Sequence, residues 1–166
     1  GGLVGRMYQA GVDGYTIEGC TVGSEDTTFS LKAEGYYNDT IRVSTGGLVG
    51  NIECAAMTHI TNCSVIGNKD GSSTLQGTDT VGGMNARVKT YINSGGLRNN
   101  VYYESCIVKN LSLNSYVRVG GVEGSRVETV GIEIYSRFHN VTVSDCVLFN
   151  MDQISVAKEE DNNVAS

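Results

Sequence analysis

The sequence predicts an all-β chain wound as a right-handed parallel β-helix of about four repeats with inserted loops, and three features carry that prediction. The block Gly46-Gly47-Leu48-Val49-Gly50, followed by Ile60-Thr61-Asn62-Cys63-Ser64-Val65, recurs in four variants in a fixed order. Self-similarity at a period of a few tens of residues is the mark of a repeat architecture. The apolar segments are filled by Val, Ile, Thr and Tyr, which favour a pleated surface. There are 22 Gly and no Pro, and helical patterning is hard to find outside the last residues.

The copies define columns. The first is Gly1-Gly2-Leu3-Val4-Gly5 with Ile17-Glu18-Gly19-Cys20-Thr21-Val22. The third pairs Gly82-Gly83-Met84 with Tyr103-Glu104-Ser105-Cys106-Ile107-Val108, and the fourth pairs Gly120-Gly121-Val122-Glu123-Gly124 with Val143-Ser144-Asp145-Cys146-Val147-Leu148. Aligned on cysteine, the preceding residue is Gly19, Asn62, Ser105 or Asp145, all of which tolerate left-handed or turn backbone. Apolar residues stand three before it (Ile17, Ile60, Tyr103, Val143) and two after it (Val22, Val65, Val108, Leu148). In a straight strand alternate residues share a face. A bend just before the cysteine is therefore needed to turn all three positions inward. This places Cys20, Cys63, Cys106 and Cys146 inside, stacked as free thiols that behave as small apolar groups. Parallel in-register thiols rarely meet disulfide torsions. Cys54 stands outside the column and reads as a loop thiol or another core residue.

The pairs Gly1/Gly2, Gly46/Gly47, Gly82/Gly83 and Gly120/Gly121 read as corners too tight for a side chain, after which Leu3, Leu48, Met84 or Val122 points inward. The pairs begin 45, 36 and 38 residues apart. A three-strand coil needs only about 20 to 30 residues, so the excess is expected as loops on one side, and two coils per repeat also fits the lengths. One solenoid domain over 1–157 follows, with repeats 1–45, 46–81, 82–119 and 120–157. A polar tail or linker over 158–166 completes the chain. Opening in mid-repeat, the chain reads as a fragment of a longer protein.

In order, the segment from Gly23 to Thr45 reads as a strand at Phe29-Ser30-Leu31, a turn, and a strand at Thr40-Ile41-Arg42-Val43. Tyr36 and Tyr37 sit at the tip of that turn, packing over the coil edge or stacking on a sugar ring or partner surface. Asn68 to Ser73 and Gly77-Thr78-Asp79 are turns. Repeat three is the most degraded, and Gly95-Gly96-Leu97 predicts a bulge or long loop. In repeat four, Val130 to Tyr135 alternates as a strand with Glu133 outward.

Composition excludes several functions. The net charge is −6 and no Lys/Arg cluster exists, which opposes nucleic-acid or anionic-membrane binding. No apolar run approaches bilayer length, and no cofactor loop or catalytic motif is found. The two histidines are His59 and His139. Cys54, His59 and Cys63 could be forced into a zinc site, but a structural zinc needs four closed ligands, and no metal is expected. Glu18 and Glu104 share the position two before the cysteine, with Thr61 and Ser144 in the other copies. Two coils separate them, about 9.6 Å by strand spacing, comparable to the carboxylate gap of inverting glycosidases. A solvent-facing polar strand accounts for them better, since outward Glu is common on such a face. The N-glycosylation pattern occurs at Asn38, Asn62, Asn110 and Asn140, as chance allows in a chain rich in Asn, Ser and Thr.

The run Gly46-Gly47-Leu48-Val49-Gly50 with Ile60-Thr61-Asn62-Cys63-Ser64-Val65-Ile66-Gly67 resembles the GLUG motif of large, mainly bacterial surface proteins, adhesin-like or associated with immunoglobulin A peptidases. Copies one and two match closely. Copy three departs at Met84-Asn85-Ala86, and copy four has Val122 for Leu and inserts Glu123. The resemblance implies an extracellular or cell-surface, non-catalytic β-solenoid segment acting as stalk, adhesive or self-assembling module. Its expected partners are the rest of the parent chain or neighbouring copies through open solenoid ends, with glycans or a host surface as further candidates. The alternatives are a carbohydrate-active β-helix enzyme, a polysaccharide lyase or glycoside hydrolase, and an accessory domain of a surface metallopeptidase.

Overall fold

The computed structural model describes residues 1–9, 14–35, 43–54, 57–90, 100–127 and 135–150. Their nineteen strands run as four successive coils, and no helix occurs among them. Coil one contains β1 (Val4–Gln9), β2 (Tyr15–Glu18), β3 (Thr21–Val22), β4 (Ser30–Ala33) and β5 (Ser44–Gly46). Coil two contains β6 (Val49–Cys54), β7 (Thr58–Thr61), β8 (Ser64–Ile66), β9 (Thr74–Gly77) and β10 (Thr80–Gly82). Coil three contains β11 (Asn85–Thr90), β12 (Asn100–Glu104), β13 (Ile107–Lys109), β14 (Ser112–Ser115) and β15 (Arg118–Gly120). Coil four contains β16 (Glu123–Val127), β17 (Tyr135–His139), β18 (Thr142–Ser144) and β19 (Val147–Asn150).

Each strand pairs in parallel with its equivalent one coil away, giving five sheets. We number them by their first strand, sheet 1 beginning with β1 and sheet 5 with β5. The chain is a parallel β-solenoid with one coil per Gly-Gly interval. The length beyond a three-strand coil is not all loop: part of it forms the strands of two further sheets.

Register defines the interior. Sheet 3 stacks Val22, Val65, Val108 and Val143, and sheet 4 stacks Leu31, Leu75, Leu113 and Leu148. Sheet 2 stacks Ile17, Ile60, Tyr103 and Phe138. In the second and third coils all of these are buried. Like thus lies on like, so each coil fills the same space as the last, the economy of a repeat fold.

The bends are where the sequence placed them. Gly19, Asn62 and Ser105 carry φ of 65°, 53° and 52°, the left-handed region open to Gly and tolerated by short polar residues. The paired glycines are needed for close approach. A Cβ on Gly46, Gly82 or Gly120 would lie 1.8, 2.0 or 2.0 Å from the carbonyl oxygen three residues on. The second glycine of each pair faces the valine column: Gly2 meets Val22, Gly47 Val65, Gly83 Val108 and Gly121 Val143.

The fourth copy corrects the cysteine alignment. Thr142 N–H donates to the Cys106 carbonyl at 2.9 Å and Val147 N–H to the Leu111 carbonyl at 2.9 Å. Val141 therefore lies over Cys106, and Cys146 lies over Leu111. The thiol column is Cys20, Cys63 and Cys106 only. In the same shift Phe138 replaces Val143 three before the cysteine position, now held by Val141, and Val143 replaces Leu148 two after it. The bend residue of coil four is Asn140 (φ 52°), while Asp145 (φ 52°) repeats the bend of Asn110 (φ 57°). Leu48 and Met84 are buried and Val122 packs on the core, but Leu3, on the edge coil, is 51% exposed.

The interior changes character along the axis. The inward columns of sheet 1 read Val4, Val49, Asn85, Glu123 and Met7, Ile52, Val88, Arg126. Apolar groups thus give way to polar ones, at Asn85 in coil three and at both positions in coil four. The expectations for Tyr36 and Tyr37, the Gly95 loop, the Val130 to Ile134 part of the fourth-repeat strand with Glu133, and the tail over 158–166 lie outside the described residues.

Candidate functional site

Two groups of polar side chains are concentrated enough to examine as sites, one outside sheet 2 and one inside the last coils. On the outer face of sheet 2, register sets Thr16, His59, Tyr102 and Arg137 in one column and Glu18, Thr61, Glu104 and His139 in the next. Both histidines of the chain therefore lie on this face. Parallel strands about 4.8 Å apart bring equivalent side chains into contact. The His59 and Tyr102 rings stack at 5.0 Å with 10° between planes. Arg137 lies over the Tyr102 ring at 5.5 Å from the other neighbouring strand. Both faces of Tyr102 are thus engaged, which leaves its edge rather than a flat ring for a sugar to stack on. The sequence signal was available: these residues stand one position before the inward Ile60, Tyr103 and Phe138.

Glu18 and Glu104 do share a column, two coils apart with Thr61 between them, and the fourth member is His139 rather than Ser144. His139 Nδ1 lies 3.6 Å from Glu104 Oε1, with the side chains 82% and 57% exposed. So open a pair is worth at most about 1 kcal/mol. It stands open to water, and among the described residues no second carboxylate faces it, as general acid–base cleavage of a glycoside would need.

Inside, Glu123 joins coils three and four. Its Oε1 accepts from Arg126 Nη2 at 3.0 Å and Nε at 3.2 Å. Its Oε2 accepts from Ser136 Oγ at 2.7 Å and from Tyr103 OH at 3.1 Å. Tyr103 OH also hydrogen-bonds Asn85 Oδ1, and its ring stacks on Phe138 at 5.0 Å. Burial, and then the Glu123 charge, push the Tyr103 phenol well above its ordinary value. The Glu123 carboxylate is thus fully engaged, whereas the buried Asn85 Nδ2 beside it has no hydrogen-bond partner, and Tyr103 is closed to solvent. On the outer face of sheet 1, Glu53 is paired with Arg6 and, at 3.5 Å, with Lys89.

The thiols are equally quiet. Cys20, Cys63, Cys106 and Cys146 are free, and burial raises the values of Cys63, Cys106 and Cys146, the reverse of what a nucleophilic thiolate needs. Cys63 Sγ points at the Thr61 and Ile17 carbonyls at 3.2 and 3.5 Å, and Cys106 Sγ at those of Ile60 and Glu104 at 3.2 and 3.4 Å. The Cys54 side chain lies outside the described residues. Among the described residues no three His, Cys, Asp or Glu are grouped to hold a metal. The sequons at Asn62, Asn110 and Asn140 coincide with left-handed bends, where Asn suits the backbone and the Ser or Thr two residues on faces outward.

No protein-family model matches the chain, and no curated protein or solved structure matches it either.

Proposed function

We propose that the chain is a non-catalytic β-solenoid segment of a cell-surface protein, acting as a structural stalk or presenting module. The observation that supports this most is the matching of column to column: valine on valine, leucine on leucine, and a glycine pair against each valine. Such repetition specifies length and stiffness, and it places no converging set of reactive groups on any described face. The GLUG-like Gly-Gly-Leu-Val-Gly blocks support the surface setting, since they record this coil geometry. The carbohydrate-active alternative draws support from the Glu18 and Glu104 column alone, and the exposure of that column and its His139 partner weaken it.

The test is an assay of the purified chain on a panel of neutral and uronic-acid polysaccharides, reading reducing ends and unsaturated products. No product above the blank is expected. Product formation lost in Glu104→Gln would overturn the reading in favour of an enzyme.

A further inference from the structure

We infer that the buried hydrogen bond from Ser136 to Glu123 is a register lock, which holds the last coil in one of two frames that its bends and apolar pattern allow. Coils three and four each carry two left-handed bends five residues apart: Ser105 and Asn110 with φ of 52° and 57°, Asn140 and Asp145 with φ of 52°. In the observed frame Asn140 lies over Ser105, Ile107 pairs with Thr142 and Ser112 with Val147. Advancing β17 to β19 by five residues would set Asp145 over Ser105, one bend again on another.

Burial hardly separates the two frames. The observed one turns inward Ser136, Phe138, Val141, Val143, Cys146 and Leu148, and the advanced one would turn inward Val141, Val143, Cys146, Leu148, Met151 and Gln153. Each set holds five apolar residues and one polar, so the hydrophobic pattern that ordinarily fixes register leaves a near tie. What Ser136 meets breaks it. Its hydroxyl donates to Glu123 Oε2 at 2.7 Å and accepts from Arg126 Nη2. In the advanced frame Val141 would take its place over Val101, and Glu123 would lose a donor that no valine supplies. A buried acceptor left short costs more than the pair contributes, and a buried polar contact is best attested as a means of choosing register. The Phe138 ring on Tyr103 favours the same frame, as a weaker and less directional contact. In a repeat fold each coil is the template for the next, so a slip here would pass to any coil stacked on it. The lock does not depend on the scaffold reading.

Nuclear magnetic resonance of the 166-residue chain reads the frame from amide contacts between strands: Thr142 to Ile107 and Val147 to Ser112 in the observed frame, Val147 to Ile107 in the advanced one. The parent is expected to show the first set alone. Glu123→Val with Arg126→Ile copies Val49 and Ile52 of coil two, removes the ion pair as a whole, and leaves Tyr103 OH on Asn85. It strands the Ser136 hydroxyl among apolar groups, and the advanced set is expected to rise at least about tenfold. Adding Ser136→Val should return the chain to the observed frame, because valine needs no partner there. Observed contacts alone in the double variant would overturn the lock. So would melting of its fourth coil, which would show that the network holds the coil together rather than choosing its frame, and so would advanced contacts that persist in the triple variant.

Discussion

Gly47 and Val65 face each other across the second coil so closely that a Cβ on the glycine would lie 2.6 Å from Val65 Cγ1 and 2.1 Å from the Gly83 carbonyl oxygen. The two sequence signatures of the repeat, the glycine pair and the valine two after the cysteine, are therefore two sides of one contact. Gly47→Ala is expected to destabilise by about 3 kcal/mol, the upper range for overpacking, because backbone must yield. Gly5→Ala, with nothing near its Cβ, is the matched control and is expected to change stability by less than about 0.5 kcal/mol. Urea unfolding of both variants measures the difference.

That contact also explains what was legible in the sequence and what was not. Parallel strands, one apolar side inward, bends at Gly19, Asn62 and Ser105, and corners at the glycine pairs all follow from local stereochemistry, and all were readable. The register of the fourth copy was not. Ser105-Cys106-Ile107-Val108 and Asn110-Leu111-Ser112-Leu113 form two bends of the same kind five residues apart, and Asn140-Val141-Thr142-Val143 and Asp145-Cys146-Val147-Leu148 repeat them. Anchoring on sulfur selected the second bend in place of the first. A buried thiol is only a small apolar group, so valine fills its place and the cysteine carries no register information. The outer column of His59, Tyr102 and Arg137 was missed for a related reason: outward positions are free to vary, and their stacking emerges only when coils are superposed. The Glu123 and Arg126 network was hidden because charged residues read as solvent-facing.

The substitution of Val141 in the thiol column leads to a prediction for the thiols. Cys63→Val is expected to cost less than about 1.5 kcal/mol, as near-isosteric apolar exchanges do. In the native chain a short iodoacetamide pulse, mapped by mass spectrometry, should label the half-buried Cys20 and Cys146 before Cys63 and Cys106, whose sulfurs are fully covered. Equal labelling of Cys106 and Cys146 would contradict the register.

The left-handed bends give a sharper test. Asn62 has φ of 53°, where a β-branched residue is strained. Asn62→Val is expected to lose about 1 to 3 kcal/mol. Asn62→Gly should hold stability or gain slightly, since Gly19 fills the equivalent place in coil one. Comparable denaturation midpoints for the two variants would count against the bend geometry.

Tyr103 is expected to weaken the fold at alkaline pH. Its phenol is held neutral by burial and by the neighbouring Glu123, so its folded value is raised. A raised value favours the protonated folded state, and the stabilisation is complete below the ordinary phenol value of about 10. Above that pH the unfolded chain releases its proton while the folded chain retains it. Stability therefore falls as pH rises from about 10 through the higher folded value, by the linkage of proton binding to unfolding. Tyr103→Phe removes this group, while Glu123 keeps Arg126 and Ser136 as donors. The variant is expected to begin less stable at pH 7 and to lose less stability than the parent between pH about 9 and 11. Thermal melts of the two proteins across that range provide the measurement, and parallel pH profiles would show that Tyr103 is not the buried phenol described.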